Sequence, residues 1–334
     1  MAEVLTLGEC LVAFVASEPG PLAETSRFDR FVAGAEANVA VGLARLGHSV
    51  DFVGRVGADG FGEAIRRRLR GEGVGIEHLV TDDQATTGLM FRERRHLGSA
   101  QVVYARRGSA GSRLNVDDIN RAADDGLIRG ARWLHLTGIT PAISESARAA
   151  TFRTAELARA AGLTISLDLN LRRKLWPDET AAPILRRLAA CADIVLGSTD
   201  EFAAIAGQPV GDGDPDGHPG GLVRAVLRIG PSIVVVKLGA GGALVVSTDV
   251  SGSTVARPAL PLPVVVDPVG AGDAFCAGFI AARLEALSLE RALEYANACG
   301  AAAAAALGDQ TGLPNRDELA ILLASGGDSP DTIR

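Results

Sequence analysis

The stretch Val264–Ile280 reads VVVDPVGAGDAFCAGFI. An apolar run suited to extended backbone leads to Asp267-Pro268, then to the glycine-rich turn Gly270-Ala271-Gly272-Asp273, which opens into an apolar helix. Small residues at a helix start leave backbone N–H groups without intrahelical partners, with the positive end of the helix dipole behind them. That is the chemistry of an anion site. Asp273 has two readings at this point. A first-turn carboxylate commonly just caps its helix. Beside an anion pocket it can equally take the proton of a hydroxyl while backbone amides hold a transferring phosphoryl group.

Upstream, the chain sets this turn at the end of an α/β rhythm. Val4–Leu7 is a short apolar strand ending at Gly8-Glu9, and Phe28–Ala33 is a second. Gly34-Ala35 opens a helix over Glu36–Leu46, followed by a strand at Val50–Val53 and a basic-faced helix at Phe61–Arg70. Thr87–Glu93 and Ala100–Arg107, joined by His96-Leu97-Gly98-Ser99, have no helix between them and read as a hairpin outside the main sheet. From Asn115 the apolar strands Trp133–Leu136, Thr164–Leu167, Ile194–Leu196 and Ile233–Leu238 alternate with helices near Ser144–Ala161, Glu179–Ala190 and Gly221–Ile229. Near-continuous apolar strands separated by amphipathic helices imply a parallel sheet covered on both faces. The glycines at 239, 241 and 242 turn the chain into Ala243–Val246, read as antiparallel, and the end is helical over Asp273–Glu285, Leu289–Leu307 and Asp317–Leu323. Gly207–Gly221, rich in Gly, Asp and Pro, reads as a surface loop.

Composition narrows the partners. A chain of 334 residues with 47% hydrophobic content can bury a large core, and its net charge of -7 speaks against nucleic acid as the main partner. Cys10, Cys191, Cys276 and Cys299 form no CxxC and no zinc-spaced cluster with histidine. No apolar run reaches the ~18–20 residues of a membrane span, and the N-terminus lacks a basic, then apolar, leader. A cytoplasmic setting is the expectation.

In doubly wound sheets ligands bind beyond the carboxyl ends of the strands. The polar residues found there are Gly8-Glu9, Thr137-Gly138, Asp168 to Arg172, Ser198 to Glu201, Lys237 to Gly242 and Gly270 to Asp273. Singly each has a bland reading: Asp168 and Asn170 as helix caps, Glu201 as a solvated first-turn acid, Gly239–Gly242 as a hairpin turn. Two nucleotide motifs are absent. Neither Lys174 nor Lys237 sits in GxxxxGK[ST], and Gly8 is followed by Glu9-Cys10 rather than GxGxxG.

DPVGAGDAFCAGF resembles the C-terminal signature of the ribokinase-like (PfkB) sugar kinases, and Ala33-Gly34-Ala35-Glu36-Ala37-Asn38, with GLARLG and FVGRVGADGFG, resembles their N-terminal one. Within that family, GAEANVAVGLARLG, YARRGSAGS (Tyr104–Ser112), LHLTGITPAIS (Leu134–Ser144), SLDLNLRRKLW (Ser166–Trp176) and the closing GDQTGLP are similar to 2-keto-3-deoxygluconate kinases. The resemblance covers nearly the whole chain. It implies one ribokinase-like domain over residues 1–334, a doubly wound, mostly parallel sheet flanked by helices. A small β-sheet lid is implied near 11–33 and 86–107, with lid-to-lid pairing into a homodimer or larger even assembly.

The same resemblance implies ATP with Mg²⁺ as cofactor and a sugar acid as acceptor. Asp273 would be the general base, with the amides of Gly270, Ala271 and Gly272 around the phosphoryl. Gly34, Asn38 and Asp309 would hold sugar hydroxyls, and Tyr104, Arg106 and Arg172 the keto-acid end. Arginine suits a carboxylate because its fork donates two charge-assisted bonds, whereas neutral fructose or ribose would leave it without a counterion. Asn170, Ser198, Lys237, Gly239, Gly242 and Asn297 would surround ATP, and Glu201 would serve the Mg²⁺-water network. Met90 stands where relatives carry a polar lid contact, and Ser198 where many carry asparagine. Fructokinase, ribokinase and 5-keto-2-deoxygluconate kinase remain alternatives, as does a sugar-binding regulator without catalysis.

Overall fold

A computed structural model describes residues 2–95, 101–208, 220–248 and 254–325. The first part of the chain forms β1 (Val4–Leu7), β2 (Leu11–Ala16), β3 (Phe28–Ala33), α1 (Ala35–Arg45), β4 (Val50–Gly57), α2 (Gly60–Gly71) and β5 (Leu79–Asp82). Next come β6 (Leu89–Arg92), β7 (Val102–Ala105) and α3 (Val116–Asp124). Strand and helix then alternate through β8 (Trp133–Thr137), α4 (Thr140–Ile143), α5 (Glu145–Ala160), β9 (Thr164–Asp168), α6 (Asp178–Ala189) and β10 (Ile194–Ser198). α7 (Thr199–Ala206) and α8 (Gly220–Leu227) lead to β11 (Ile233–Lys237), which turns back as β12 (Ala243–Ser247) and β13 (Thr254–Arg257). Three helices close the chain: α9 (Ala271–Leu284), α10 (Leu289–Ala304) and α11 (Arg316–Ser325).

Strands such as β8 and β9 are buried along nearly their whole length, so helices must cover both faces of their sheet. They do, in a nine-stranded sheet ordered β13-β12-β11-β10-β9-β8-β1-β4-β5. β5 through β11 in that row run parallel, and β12 and β13 return antiparallel. One face packs on α1, α2, α9 and α10, the other on α3, α5, α6, α7 and α8. α9 is buried almost all round, and glycine and alanine let its neighbours approach. A Cβ on Gly278 would lie 2.6 Å from the Tyr295 carbonyl of α10, and one on Gly42 of α1 2.7 Å from Ala277.

Strand order runs outward in opposite senses from the β1–β8 pair, so a crevice opens above it. A separate four-stranded sheet, β3-β2-β6-β7, carries the predicted lid segments. In it β2 pairs antiparallel with β3 and parallel with β6, and β6 pairs antiparallel with β7. No helix among the described residues is long and apolar enough to cross a membrane.

Two differences from the sequence reading are informative. Val264–Val266 is no strand: these valines are 66%, 57% and 48% exposed, and the Val266 and Asp267 amides both donate to the Ala304 carbonyl instead of a ladder. The sequence reading does not place β5, β13, α3 and α7; α3, for example, opens on a capping box between Asn115 and Asp118. The expected turn at 96–99 and most of the 207–221 loop lie outside the described residues.

Candidate active site

The glycine-rich turn has the backbone an anion site needs. Gly270 is left-handed at φ 82°, and a Cβ on it would sit 2.6 Å from the Asp309 carbonyl, so two demands exclude any side chain there. The amides of Gly270 and Gly272 take no backbone acceptor among the described residues, whereas that of Ala271 donates to Pro268 at 3.3 Å. Lys237, at the end of β11, brings its Nζ to 3.6 Å from where a Gly272 Cβ would stand. Two amides without a backbone acceptor among the described residues and an ammonium therefore lie at this turn.

Asp273, in the first turn of α9, accepts no backbone amide of its helix among the described residues. Its Oδ2 instead accepts from Asn38 Nδ2 at 2.8 Å, and its Oδ1 from Asn170 Nδ2 at 3.3 Å. Burial pushes its pKa up to about 7; the Asn38 bond opposes that rise and the nearby Asp168 charge adds to it. Asp309 is likewise pushed up by burial to about 6, with Arg92 opposing and Asp267 adding. Asn170 holds φ 35°, a strained value for a non-glycine residue, next to the carboxylate it contacts. Asn170 Oδ1 and Asp309 Oδ1 are buried without hydrogen-bond partners among the described residues. Polar atoms orphaned in this way on a cavity wall are what a hydroxylated ligand would satisfy.

That cavity measures about 570 Å³ and lies between the lid and the carboxyl ends of the sheet. The expected sugar-side residues Gly34, Asn38, Tyr104, Arg106, Arg172 and Asp309 all line it. Arg106, however, already has a counterion. Its Nε donates to Glu9 Oε2 at 2.6 Å, Glu9 is 3% exposed, and Ser109 donates to the other carboxylate oxygen. A neutral sugar would therefore not strand the Arg106 guanidinium, whose charge Glu9 neutralises. Arg172 is different: exposed at the cavity, its side chain makes no hydrogen bond or ion pair among the described residues.

Of the residues expected around ATP and its metal, Asn170, Ser198, Lys237 and Glu201 line the same cavity, and Gly239, Gly242 and Asn297 do not. Gly239 and Gly242 turn the chain between β11 and β12 just beyond Lys237. Asn297 donates to the Arg257 and Pro258 carbonyls at 3.3 and 2.9 Å, so its amide fastens a loop. Glu201 closes a capping box with Ser198, accepting the Ser198 amide at 2.8 Å, and its other oxygen takes the Leu171 amide at 2.8 Å.

Asp168 carries more than the capping role its position suggests. It takes Lys237 Nζ at 2.6 Å, and burial of that ammonium, which disfavours its charge, is outweighed by Asp168, leaving Lys237 held above the usual lysine range. Arg92 and Asp267 were also missed. The only sequence signal for them is a charge at the end of the apolar β6 and an acid opening the turn.

A doubly wound sheet, an anion turn at its carboxyl edge and a β lid above it form the architecture of a carbohydrate kinase. The PfkB protein from Polaromonas sp. JS666 has this fold, with a TM-score of 0.83 at 36% identity, covering 96% of this chain and 99% of that one. Ribokinase II from E. coli, solved in complex with ATP and Mg²⁺, superposes with a TM-score of 0.85 at 26% identity over 97% and 99% of the two chains. The chain belongs to the pfkB family of carbohydrate kinases, whose model matches residues 1–316. It is 36% identical to the 2-dehydro-3-deoxygluconokinase of Bacillus subtilis, over 97% of this chain and 96% of that protein.

Proposed function

We propose that the protein phosphorylates the terminal C6 hydroxyl of 2-keto-3-deoxygluconate with ATP. Asp273 accepts the hydroxyl proton as the oxygen attacks the γ-phosphorus. The bond from that phosphorus to the β–γ bridging oxygen breaks, and ADP leaves. The amides of Gly270 and Gly272, with the Lys237 ammonium, stabilise the charge on the phosphoryl oxygens in flight. The observation that carries this reading is the Asp273 carboxyl itself: held by two side-chain amides beside the anion turn, and poised at about 7.

The carboxylate end of the substrate is assigned to Arg172, because it faces the cavity with no hydrogen bond or ion pair among the described residues, and the likeness to the Bacillus subtilis kinase supports a keto-acid. Tyr104, with the Arg106 guanidinium 5.4 Å over its ring, would pack against the sugar rather than neutralise it. Gly34, Asn38 and Asp309 would meet the hydroxyls.

Mg²⁺ accompanies ATP in the E. coli relative, and the residues here suit a hydrated ion held mainly by phosphates. Among the described residues no cluster of three or more His, Cys, Asp or Glu could cage a metal. Glu201, with both oxygens already accepting amides, would reach such an ion through water. The ion would supply charge neutralisation across the β- and γ-phosphates.

The lid ends in the edge strands β3 and β7, with Val103 on β7 44% exposed. Edge pairing between two lids would cover them, giving a homodimer, which light scattering can measure.

An ADP-release assay over a panel of sugars tests the substrate. The keto-acid should give the highest kcat/KM. Equal values for fructose would remove the carboxylate assignment, and no ADP release with any sugar would remove the kinase reading.

A further inference from the structure

The lid and the catalytic turn are joined by a buried ion pair. Arg92, at the end of lid strand β6, donates from its two terminal nitrogens to Asp267 Oδ1 and Oδ2 at 2.8 and 2.5 Å. The two residues are 175 positions apart, and their side chains are only 5% and 7% exposed. Such a pair is expensive to desolvate and persists where further hydrogen bonds complete it. Asp267 has them: Oδ1 accepts the Val269 amide at 3.2 Å and Oδ2 the Gly308 amide at 3.2 Å.

Those two amides lie on different loops. Val269 precedes Gly270, where the anion turn begins. Gly308 precedes Asp309, whose carbonyl packs against Gly270. One carboxylate therefore locks together the turn that holds the phosphoryl and the loop assigned to the sugar. The lid touches this junction a second time: a Cβ on Gly308 would lie 2.4 Å from the ring of Phe31 on β3. Two strands of the lid thus bear on one point.

We propose that Arg92 is a positioning residue for phosphoryl transfer, acting through Asp267 to set the Gly270–Gly272 amides only when the lid is down. It touches neither the reacting oxygen nor the phosphorus. Lid opening withdraws the guanidinium, leaves Asp267 a buried carboxylate without its counterion, and frees the turn to shift. Transfer is then confined to the closed state, in which the sugar and not water is the nucleophile. The inference rests on the turn being the phosphoryl site, and it adds a control that the turn alone does not have.

Arg92→Ala tests it, with guanidinium ion as a chemical replacement. The expected result is a kcat lower by about 10²-fold, the cost of a misplaced group away from the chemistry, with the KM for ATP little changed. Added guanidinium should restore kcat, and urea, of the same shape without the charge, should not. Arg92→Lys supplies one point charge in place of a fork and should fall between parent and alanine variant. An unchanged kcat, a loss that follows the folded fraction, or a loss that guanidinium does not restore would overturn the proposal. If the alanine variant does not fold, the lysine variant decides: a kcat equal to the parent's overturns the proposal, and a lowered kcat at an unchanged Tm supports it. Failure of the general-base reading shows separately, as retained activity in Asp273→Asn.

Discussion

The side-chain amide of Asn38 donates to Asp273 Oδ2 at 2.8 Å, joining the first turns of α1 and α9 across 235 positions of sequence. The orientation of that amide is fixed because its own oxygen accepts from Gln310 Nε2 at 3.1 Å. The bond favours the charged carboxylate and so opposes the burial that raises the pKa to about 7. Asn38→Leu removes the donor. The acid limb of kcat/KM against pH should move up from about 7, and a limb that stays in place would separate Asp273 from the titration that governs the rate.

Asp273→Asn keeps the shape of the side chain and removes its basicity. Loss of a general base lowers kcat by roughly 10²–10⁴-fold. ATP binding, followed by calorimetry, should change little, because the turn amides and Lys237 remain. The residual rate should also lose its pH dependence near 7. Near-parental turnover would return Asp273 to a structural role.

The same substitution has a second readout in stability. The folded-state pKa of Asp273 lies above its unfolded value of 3.8, so the folded chain binds the proton more tightly. Stability from this group is therefore complete below about pH 4 and is lost as pH rises through about 7. Asparagine has no proton to lose. The Tm of Asp273→Asn minus that of the parent should grow between pH 4 and 7 and level off above, by about 2 °C for each kcal/mol relieved. Asp309 is raised in the same direction and shapes both curves, so the difference isolates Asp273. A difference that shrinks with rising pH would contradict the burial of this carboxyl as charged.

What could be read in the sequence was local chemistry, and what could not was long-range charge. Gly270–Asp273 announces itself because small residues before an apolar helix have few other uses, and the strands from Trp133 to Lys237 because their apolar runs need cover on both faces. Val264–Val266 misleads for the opposite reason: β-branched residues favour extended backbone, but a strand also needs a free ladder, and Ala304 takes the amides first. Glu9 lies 97 positions from Arg106 and Asp267 lies 175 from Arg92. No spacing rule links such pairs, so the sequence left one arginine free for substrate and the other unnoticed.

Arg106 and Arg172 are equal candidates for the substrate carboxylate in the sequence, and their surroundings in the structure differ. Glu9 holds Arg106 through its Nε at 2.6 Å and leaves it 11% exposed, so its net charge toward the cavity is largely cancelled. Arg172 keeps its charge facing the cavity. Arg172→Met should therefore raise the KM for the keto-acid by about tenfold to a hundredfold, the loss of one charge-assisted bond of ~1.5–3 kcal/mol, and leave the KM for ATP near its parental value. Arg106→Met acts differently. It strands the buried Glu9 carboxylate, which then disrupts the β7 segment and lowers kcat and Tm together, without a selective change between acid and neutral sugars. Neutral Glu9→Gln combined with Arg106→Met should recover part of that Tm. The comparison to make is the ratio of kcat/KM for the keto-acid to that for fructose in each variant. If Arg106→Met collapses that ratio and Arg172→Met preserves it, the carboxylate sits against Arg106, and Glu9 must yield its partner to the substrate on binding.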